Sequence, residues 1–328
     1  MTTAIHVDSL TKQFGTLVAV DHISFDIEQG EIFGLLGPNG AGKTTTLSML
    51  STMLDQTSGS AEIMGIDIKK DQDGVRKEIG IVFQDQSLDE ELTARENMDF
   101  HGRLYRIPKE IRESRTEELL RLVELYDRRN DIVKTFSGGM RRRLEIARGL
   151  LHHPQVLFLD EPTIGLDPQT RNHLWNYIET LAKEKNITII LTTHYMDEAD
   201  RLCNRIAIID HGKIIALDTP ARLKDSLGGD LVTIQSPETK KITTALSAPW
   251  INRIEVRGNE VVVSLKNAEQ HISGIVTRLN EEKIPIEAIS VHKPTLEDVF
   301  LSFTGKTIRD EDADGKDAMR MHFRMMRH

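Results

Sequence analysis

Apolar residues follow two rhythms along this chain. Short clustered or alternating runs at 4–8, 23–28, 32–36, 79–83, 156–160, 187–192 and 205–210 predict strands. Between them, helix-type spacing at 44–52, 110–127, 139–151, 169–185 and 196–202 predicts helices. Strands alternating with helices predict an α/β fold whose sheet is largely parallel in its core. The run Val156-Leu157-Phe158-Leu159 is apolar without a break, as in a central strand covered on both faces. Residues 90–150 are charged and mostly helical, and read as a helical insertion in the α/β body.

Beyond Ser226-Leu227-Gly228-Gly229 the pattern changes to strand 231–235, helix 238–248, strands 251–257 and 260–265, helix 268–283 and strand 284–292. Gly258-Asn259 between the middle strands is a hairpin signal. The order β-α-β-β-α-β is that of a small α+β, ferredoxin-like domain. An amphipathic segment, 296–301, follows. The expected organisation is an α/β domain over 1–224 with a helical subdomain at about 90–150, an accessory domain over 225–305, and a tail over 306–328. Acids dominate 309–317, whereas 318–328 hold Arg320, Arg324 and Arg327 and several methionines. Such a tail is expected to be disordered, with a basic, Met-rich helix that docks on a membrane surface or partner as the other reading.

Composition narrows the class. With 328 residues, 39% hydrophobic and 28% charged, the chain is an ordinary globular protein with room for two domains. A net charge of −9 argues against nucleic acid as the main partner. The single cysteine, Cys203, rules out an intrachain disulfide and fits a reducing cytoplasm. Met1 to His6 lack a basic region followed by an apolar one, so no signal peptide is expected. No apolar run reaches the about 18 residues of a membrane span, so any membrane association has to come through a partner or a surface contact.

The most informative residues are Gly37-Pro38-Asn39-Gly40-Ala41-Gly42-Lys43-Thr44. They leave a predicted strand and open a predicted helix, the context a phosphate-binding loop requires. Glycines let main-chain N–H groups turn inward around an anion, and the helix adds its positive end. Lys43 is placed to reach the β- and γ-phosphates of a nucleotide and Thr44 to ligate Mg²⁺, with Thr45 next on the helix. Downstream, the apolar run 156–159 ends in Asp160-Glu161. Beside a phosphate loop, Asp160 can hold the Mg²⁺ shell and Glu161 can polarise a water for attack on the γ-phosphate. Ser137-Gly138-Gly139 opens another predicted helix. Taken alone it reads best as a capped helix start, although the same residues also make an anion site.

Together these motifs resemble the nucleotide-binding subunits of ATP-binding-cassette (ABC) transporters, over about residues 4–220. The resemblance implies a P-loop ABC ATPase domain with ATP and Mg²⁺ as cofactors. It makes Ser137, Gly138 and Gly139 the signature that grips the γ-phosphate held by a second subunit. Phe136 and Met140 replace the usual Leu and Gln that flank it. Gln84 is similar to the residue that touches Mg²⁺ and senses the transmembrane partner, and His194 to the switch histidine on the γ-phosphate. Asp167 stands in the loop that crosses the dimer interface. Phe14 takes the place of the tyrosine that stacks on adenine, keeping the π-face; on apolar character alone it would read as core.

Residues 293–305 resemble the end of ATPase subunits of the daunorubicin/doxorubicin-resistance type. That implies a permease of the ABC-2 class as membrane partner, a second ATPase subunit, a location on the cytoplasmic face of the cell membrane, and export of a drug, lipid or related substrate. The alternative is a non-transport cassette ATPase acting as a translation or DNA-associated factor. Chains of the first kind carry two cassettes, and those of the second a coiled coil or zinc module; this sequence has one cassette and neither module.

Overall fold

The computed structural model describes residues 2–304. The expected tail, 306–328, lies outside them. The chain divides into two compact units, the first ending at Leu217 and the second beginning at Asp218. This falls before the expected 224/225 boundary, because the helix Pro220–Asp225 buries Leu223 and packs against the helix Leu296–Thr304 of the second unit.

Two sheets build the first unit. One has strands in the order Leu17–Glu28, Thr3–Phe14, Ser58–Ile63 and Ile66–Asp67, each paired antiparallel to its neighbour. The other orders Lys213–Asp218, Arg205–Asp210, Ile32–Leu36, Thr188–Thr193, Val156–Asp160 and Ile79–Val82. Pairing from Arg205–Asp210 through to Ile79–Val82 is parallel. Every residue of Ile32–Leu36, Val156–Asp160 and Thr188–Thr193 is buried, which explains the apolar runs 156–159 and 189–191 within them. Phe25 of the antiparallel sheet stacks on Phe33 of the parallel one, with ring centroids 5.2 Å apart. In register, Leu36 stands beside Thr193, and Asp160 beside Thr192. The carboxyl ends of these strands therefore share one edge, where ligands of open α/β sheets bind.

The charged middle of the chain forms the helices Ala94–Leu104, Lys109–Leu122 and Gly138–Gly149. The second of these was expected to run to 127. It stops at Leu122 because Glu124 takes a left-handed φ of 56°, which a helix cannot continue through.

In the second unit an antiparallel sheet orders Ile251–Arg257, Glu260–Leu265, Asp230–Gln235 and Ala288–His292. With the first strand central, beside the fourth, this is ferredoxin-like order. The turn falls at Gly258 and Asn259, with Arg257 opposite Glu260 and Gly258 at φ 57°. Val232, Ile234, Val261 and Val263 pack against Ile275 and Leu279 of the helix Ala268–Glu281. The last strand is shorter than the expected 284–292. Ile284 is drawn into the core, and Pro285 has no N–H to give to a ladder.

Candidate nucleotide site

Residues 37–42 turn between the buried strand Ile32–Leu36 and the helix Lys43–Leu50. Gly42 caps that helix at φ 106°, and a Cβ on it would stand 2.6 Å from the Ala19 carbonyl oxygen. A Cβ on Gly37 would stand 2.2 Å from the Ile209 carbonyl oxygen. Glycine is thus required at both places. Pro38 and Ala41 are buried, whereas Asn39 and Gly40 face outward and Thr45 is half-buried on the first turn. Lys43 is buried, and its Nζ donates to the carbonyls of Gly37 (2.7 Å) and Pro38 (2.9 Å). The cation sits inside the loop, where a nucleotide's phosphates would meet it.

Asp160 and Glu161 meet this loop from the neighbouring strand end. The Thr44 hydroxyl donates to Asp160 at 3.1 and 3.2 Å, and the Thr192 hydroxyl to Asp160 Oδ1 at 2.5 Å. Glu161 takes a left-handed φ of 46°, held by its N–H bonds to the Thr192 hydroxyl (3.0 Å) and carbonyl (3.2 Å). Its carboxylate lies 3.6 Å from Lys43 Nζ and 3.1 Å from His194 Nδ1, the latter out of line for a hydrogen bond. Burial alone would push the Glu161 carboxyl up. Contact with His194 and the charge of Lys43 more than offset that and hold it below the usual carboxylate range. It is therefore an anion at neutral pH, the state a general base needs. Thr44 and Asp160 together offer oxygen donors at one point, the ligand chemistry Mg²⁺ prefers. Among the described residues no group of three His, Cys, Asp or Glu side chains could hold a metal unaided.

The structure thus brings Lys43, Thr44, Asp160, Glu161 and His194 to one point. Phe14, expected from the resemblance to stack on adenine although apolar character alone would read it as core, is 48% exposed at the end of its strand, with Lys12 Nζ 5.0 Å above its ring. An accessible ring is what stacking on a base needs. Gln84 lies two residues past the strand Ile79–Val82, on the same sheet edge, with its side chain exposed. Ser137 caps the helix Gly138–Gly149, accepting from Met140 N at 3.3 Å, while a Cβ on Gly139 would strike Thr170. Asp167 caps the helix Pro168–Lys185, accepting from the N–H groups of Gln169 and Thr170 and the Thr170 hydroxyl.

Three contributors escaped the sequence reading. Thr192 anchors both acidic residues, as above. Arg142, third of the arginine-rich turn after Gly139, is 7% exposed and spends its guanidinium on main-chain carbonyls around Asp160 and Glu161. Glu145, one turn on, accepts from Ser87 N at 2.9 Å. Their positions were a signal: Arg142 and Glu145 lie on the same helix face as the buried Ile146 and Gly149, where a charged residue needs a partner.

Comparison with known proteins settles the family. A profile described as ABC transporter matches residues 20–164, and one described as ATP-binding protein DrrA1-3-like, C-terminal domain, matches 219–304. The linearmycin resistance ATP-binding protein LnrL of Bacillus subtilis is 38% identical over 311 residues, spanning 93% of this chain and all of that one. The chain belongs to the ATP-binding proteins of ABC transporters. The daunorubicin/doxorubicin resistance ATP-binding protein DrrA of Streptomyces peucetius is 37% identical, over 95% of this chain and 96% of its own. The Nod factor export ATP-binding protein I of Ralstonia nicotianae is 37% identical, over 94% and 96%. Among solved structures, cbiO1 from Clostridium perfringens, part of an ABC transporter complex, superposes with a TM-score of 0.64 at 27% identity, over 69% of this chain and 94% of that one. A dimeric ATP-binding cassette in a post-hydrolysis state with ADP and Pi superposes with a TM-score of 0.59 at 28% identity, over 66% and 98%. As an ABC ATP-binding protein the chain hydrolyses ATP, and membership implies a membrane partner and a dimeric ATPase. Among the described residues no helix is long and apolar enough to cross a membrane.

Proposed function

We propose that this subunit energises export through a permease of the ABC-2 class, on the inner face of the cell membrane, by ATP-driven pairing of two identical copies. The observation that carries the reading is the match of 219–304 to the DrrA1-3-like C-terminal domain, joined to a complete phosphate loop. Relatives named for resistance to linearmycin and to daunorubicin/doxorubicin, and for Nod factor export, support a drug, lipid or related substrate as the cargo. Residues 225–305 are assigned to stabilising or regulating the pair.

Each ATP is assigned to lie between the phosphate loop of one copy and Ser137, Gly138 and Gly139 of the other. Phe14 stacks on adenine, and the main-chain N–H groups of residues 37–45, Pro38 excepted, together with Lys43 hold the phosphates. Thr44, Asp160 and Gln84 would hold Mg²⁺, which supplies charge neutralisation on the β- and γ-phosphates when bound. Glu161 accepts the proton of the attacking water, and His194, already against Glu161, holds the γ-phosphate. Asp167 orders the loop that crosses to the partner. Once the γ-phosphate is cleaved the bridge between copies weakens and the pair reopens.

The experiment is the Glu161→Gln variant, purified alone and together with its permease. It should bind ATP, cease turnover and accumulate as a dimer by size-exclusion chromatography. A protein that stays monomeric with ATP in both settings would refute the sandwich, and near-normal turnover would remove Glu161 from its role.

A further inference from the structure

Arg142 is buried at the junction of three segments that the proposed mechanism needs. Its Nε donates to the Pro162 carbonyl at 3.0 Å and its Nη2 to the Asp160 carbonyl at 2.7 Å. Its Nη1 donates to the Phe83 carbonyl, and to Glu145 Oε2 at 3.2 Å. Phe83 precedes Gln84, and Asp160 and Pro162 flank Glu161. Glu145, 2% exposed, closes the circuit through Oε1 to Ser87 N, and Arg148 Nη1 donates to the Ser87 carbonyl at 2.6 Å. The Gly138–Gly149 helix, whose N-cap is Ser137, thus grips both the segment 83–87 and the main chain on either side of Glu161.

An arginine used this way differs from a surface ion pair. The planar guanidinium fixes several acceptors in one geometry, which the point charge of a lysine cannot do. Burying it is costly unless its N–H groups find partners, and here those partners are three carbonyls from two loops and one carboxylate. Packing alone would be met by an apolar side chain at lower cost.

We propose that Arg142 is a positioning residue that makes one mechanical unit of the signature helix, the main chain carrying Glu161 and the segment carrying Gln84. When Ser137 engages a nucleotide on the partner copy, the displacement of its helix is delivered through Arg142 to Glu161 and Gln84 of its own site. One side chain thereby links the two ATP sites, and both to the segment assigned to the membrane partner. This rests on the two-site reading above.

The test compares Arg142→Lys and Glu145→Gln with wild type in the full chain with its permease, reading kcat, KM for ATP and the Mg²⁺ concentration for half-maximal rate. Rates are normalised to sites titrated with a fluorescent ATP analogue, which removes any loss from misfolding. Arg142→Lys should lower kcat by about 10²-fold, the scale of a displacement of about 1 Å at a reacting centre. It should also raise the Mg²⁺ requirement and leave KM for ATP unchanged. Glu145→Gln keeps the carbonyl grip but loses the ion pair with Arg142, so it should shift both readouts in the same direction by a smaller factor, about 5-fold, the scale of one lost hydrogen bond. Normalised rates and Mg²⁺ dependence equal to wild type in Arg142→Lys would overturn the proposal. If that variant does not fold, a wild-type rate and Mg²⁺ dependence in Glu145→Gln would overturn it. The double variant Arg142→Lys/Glu161→Gln separates the two readings. Pairing with ATP while the Arg142→Lys rate is lost supports both, whereas pairing that fails in Glu161→Gln alone counts against the sandwich.

Discussion

In the first unit Glu31, Lys43, Arg112, Arg142, Glu145, Asp160, Glu161 and Glu198 are all buried; in the second, the buried polar residues among those described are Ser236 and Ser264. Both units have aliphatic cores. They differ in what those cores tolerate. Removing an ion from water costs several kcal/mol, so a buried charge needs partners or a role that retains it. Glu31 and Arg112 are held by ion pairs with Arg205 and Asp99. Five of the eight lie at the carboxyl ends of Val156–Asp160 and its neighbours or brace those ends, through bonds among Lys43, Glu161, Asp160, Arg142 and Glu145. The second unit, built of Val232, Ile234, Val261 and Val263 against helices, is organised for packing. Substitutions should separate the two accordingly, with charged positions of the first unit deciding rate and apolar positions of the second deciding stability.

The largest expected effect is on rate. Glu161→Gln removes the general base and should lower kcat by about 10²–10⁴-fold, with only a modest fall in melting temperature from the lost contact with Lys43, as read by phosphate release and differential scanning calorimetry. Equal losses of rate and melting temperature would merge the two classes. The mirror experiment is Ile234→Ala, at a fully buried position of the second sheet. Deleting those methyl groups should cost about 2–5 kcal/mol in denaturant unfolding of that unit, with basal ATP hydrolysis per folded molecule unchanged. A drop in basal hydrolysis without loss of stability would show that the second unit contributes chemistry.

Asp167 tests the boundary between the classes, since it is charged but exposed and occupied with local structure. It accepts from two N–H groups and the Thr170 hydroxyl at the start of Pro168–Lys185. Those bonds hold its carboxyl below the usual range, the Thr170 hydroxyl contributing most. Asp167→Ala should cost about 1 kcal/mol as a lost helix cap, whatever it does to pairing. Unchanged stability combined with lost pairing would assign the carboxylate to the interface alone.

The same contrast explains how much the sequence disclosed. Strand, glycine loop and helix at 32–50 could be read because each residue there is restricted for a local reason, and the run 156–159 because burial on both faces leaves only apolar residues there. The strand Ser58–Ile63 passed unnoticed: Ser58-Gly59-Ser60 carry no apolar signal, and its pairing with Thr3–Phe14 is a long-range fact. Arg142 was hidden among Arg141, Arg142 and Arg143 as part of a charge run. Only the phase of its helix against the strand ends distinguishes the middle arginine. Apolar character alone would bury Phe14, whereas the resemblance implied an accessible ring, and the ring is exposed.

The smallest and most specific difference concerns two buried glutamates with opposite pH signatures. Glu198 has no exposed surface. It accepts from Trp175 Nε1 at 2.9 Å, and its Oε2 has no hydrogen-bond partner. Burial pushes its carboxyl up, and the nearby Thr193, Trp175, Thr163 and Arg171 offset this only in part. Glu161 is shifted down. A lowered folded pKa contributes stability that is present above the ordinary carboxylate value and lost as pH falls through the folded value. A raised one works in reverse. The fold prefers protonated Glu198, and that preference is fully present below the ordinary carboxylate value and lost as pH rises through the folded pKa. Glu198→Gln is neutral throughout and keeps an acceptor for Trp175. Its stability relative to wild type should therefore improve steadily as pH rises from the carboxylate range toward neutrality, whereas Glu161→Gln should flatten the acid limb instead. Urea unfolding of the three proteins across that range measures it. Parallel curves for Glu198→Gln and wild type would mean that Glu198 titrates alike folded and unfolded, and that burial there carries no electrostatic cost.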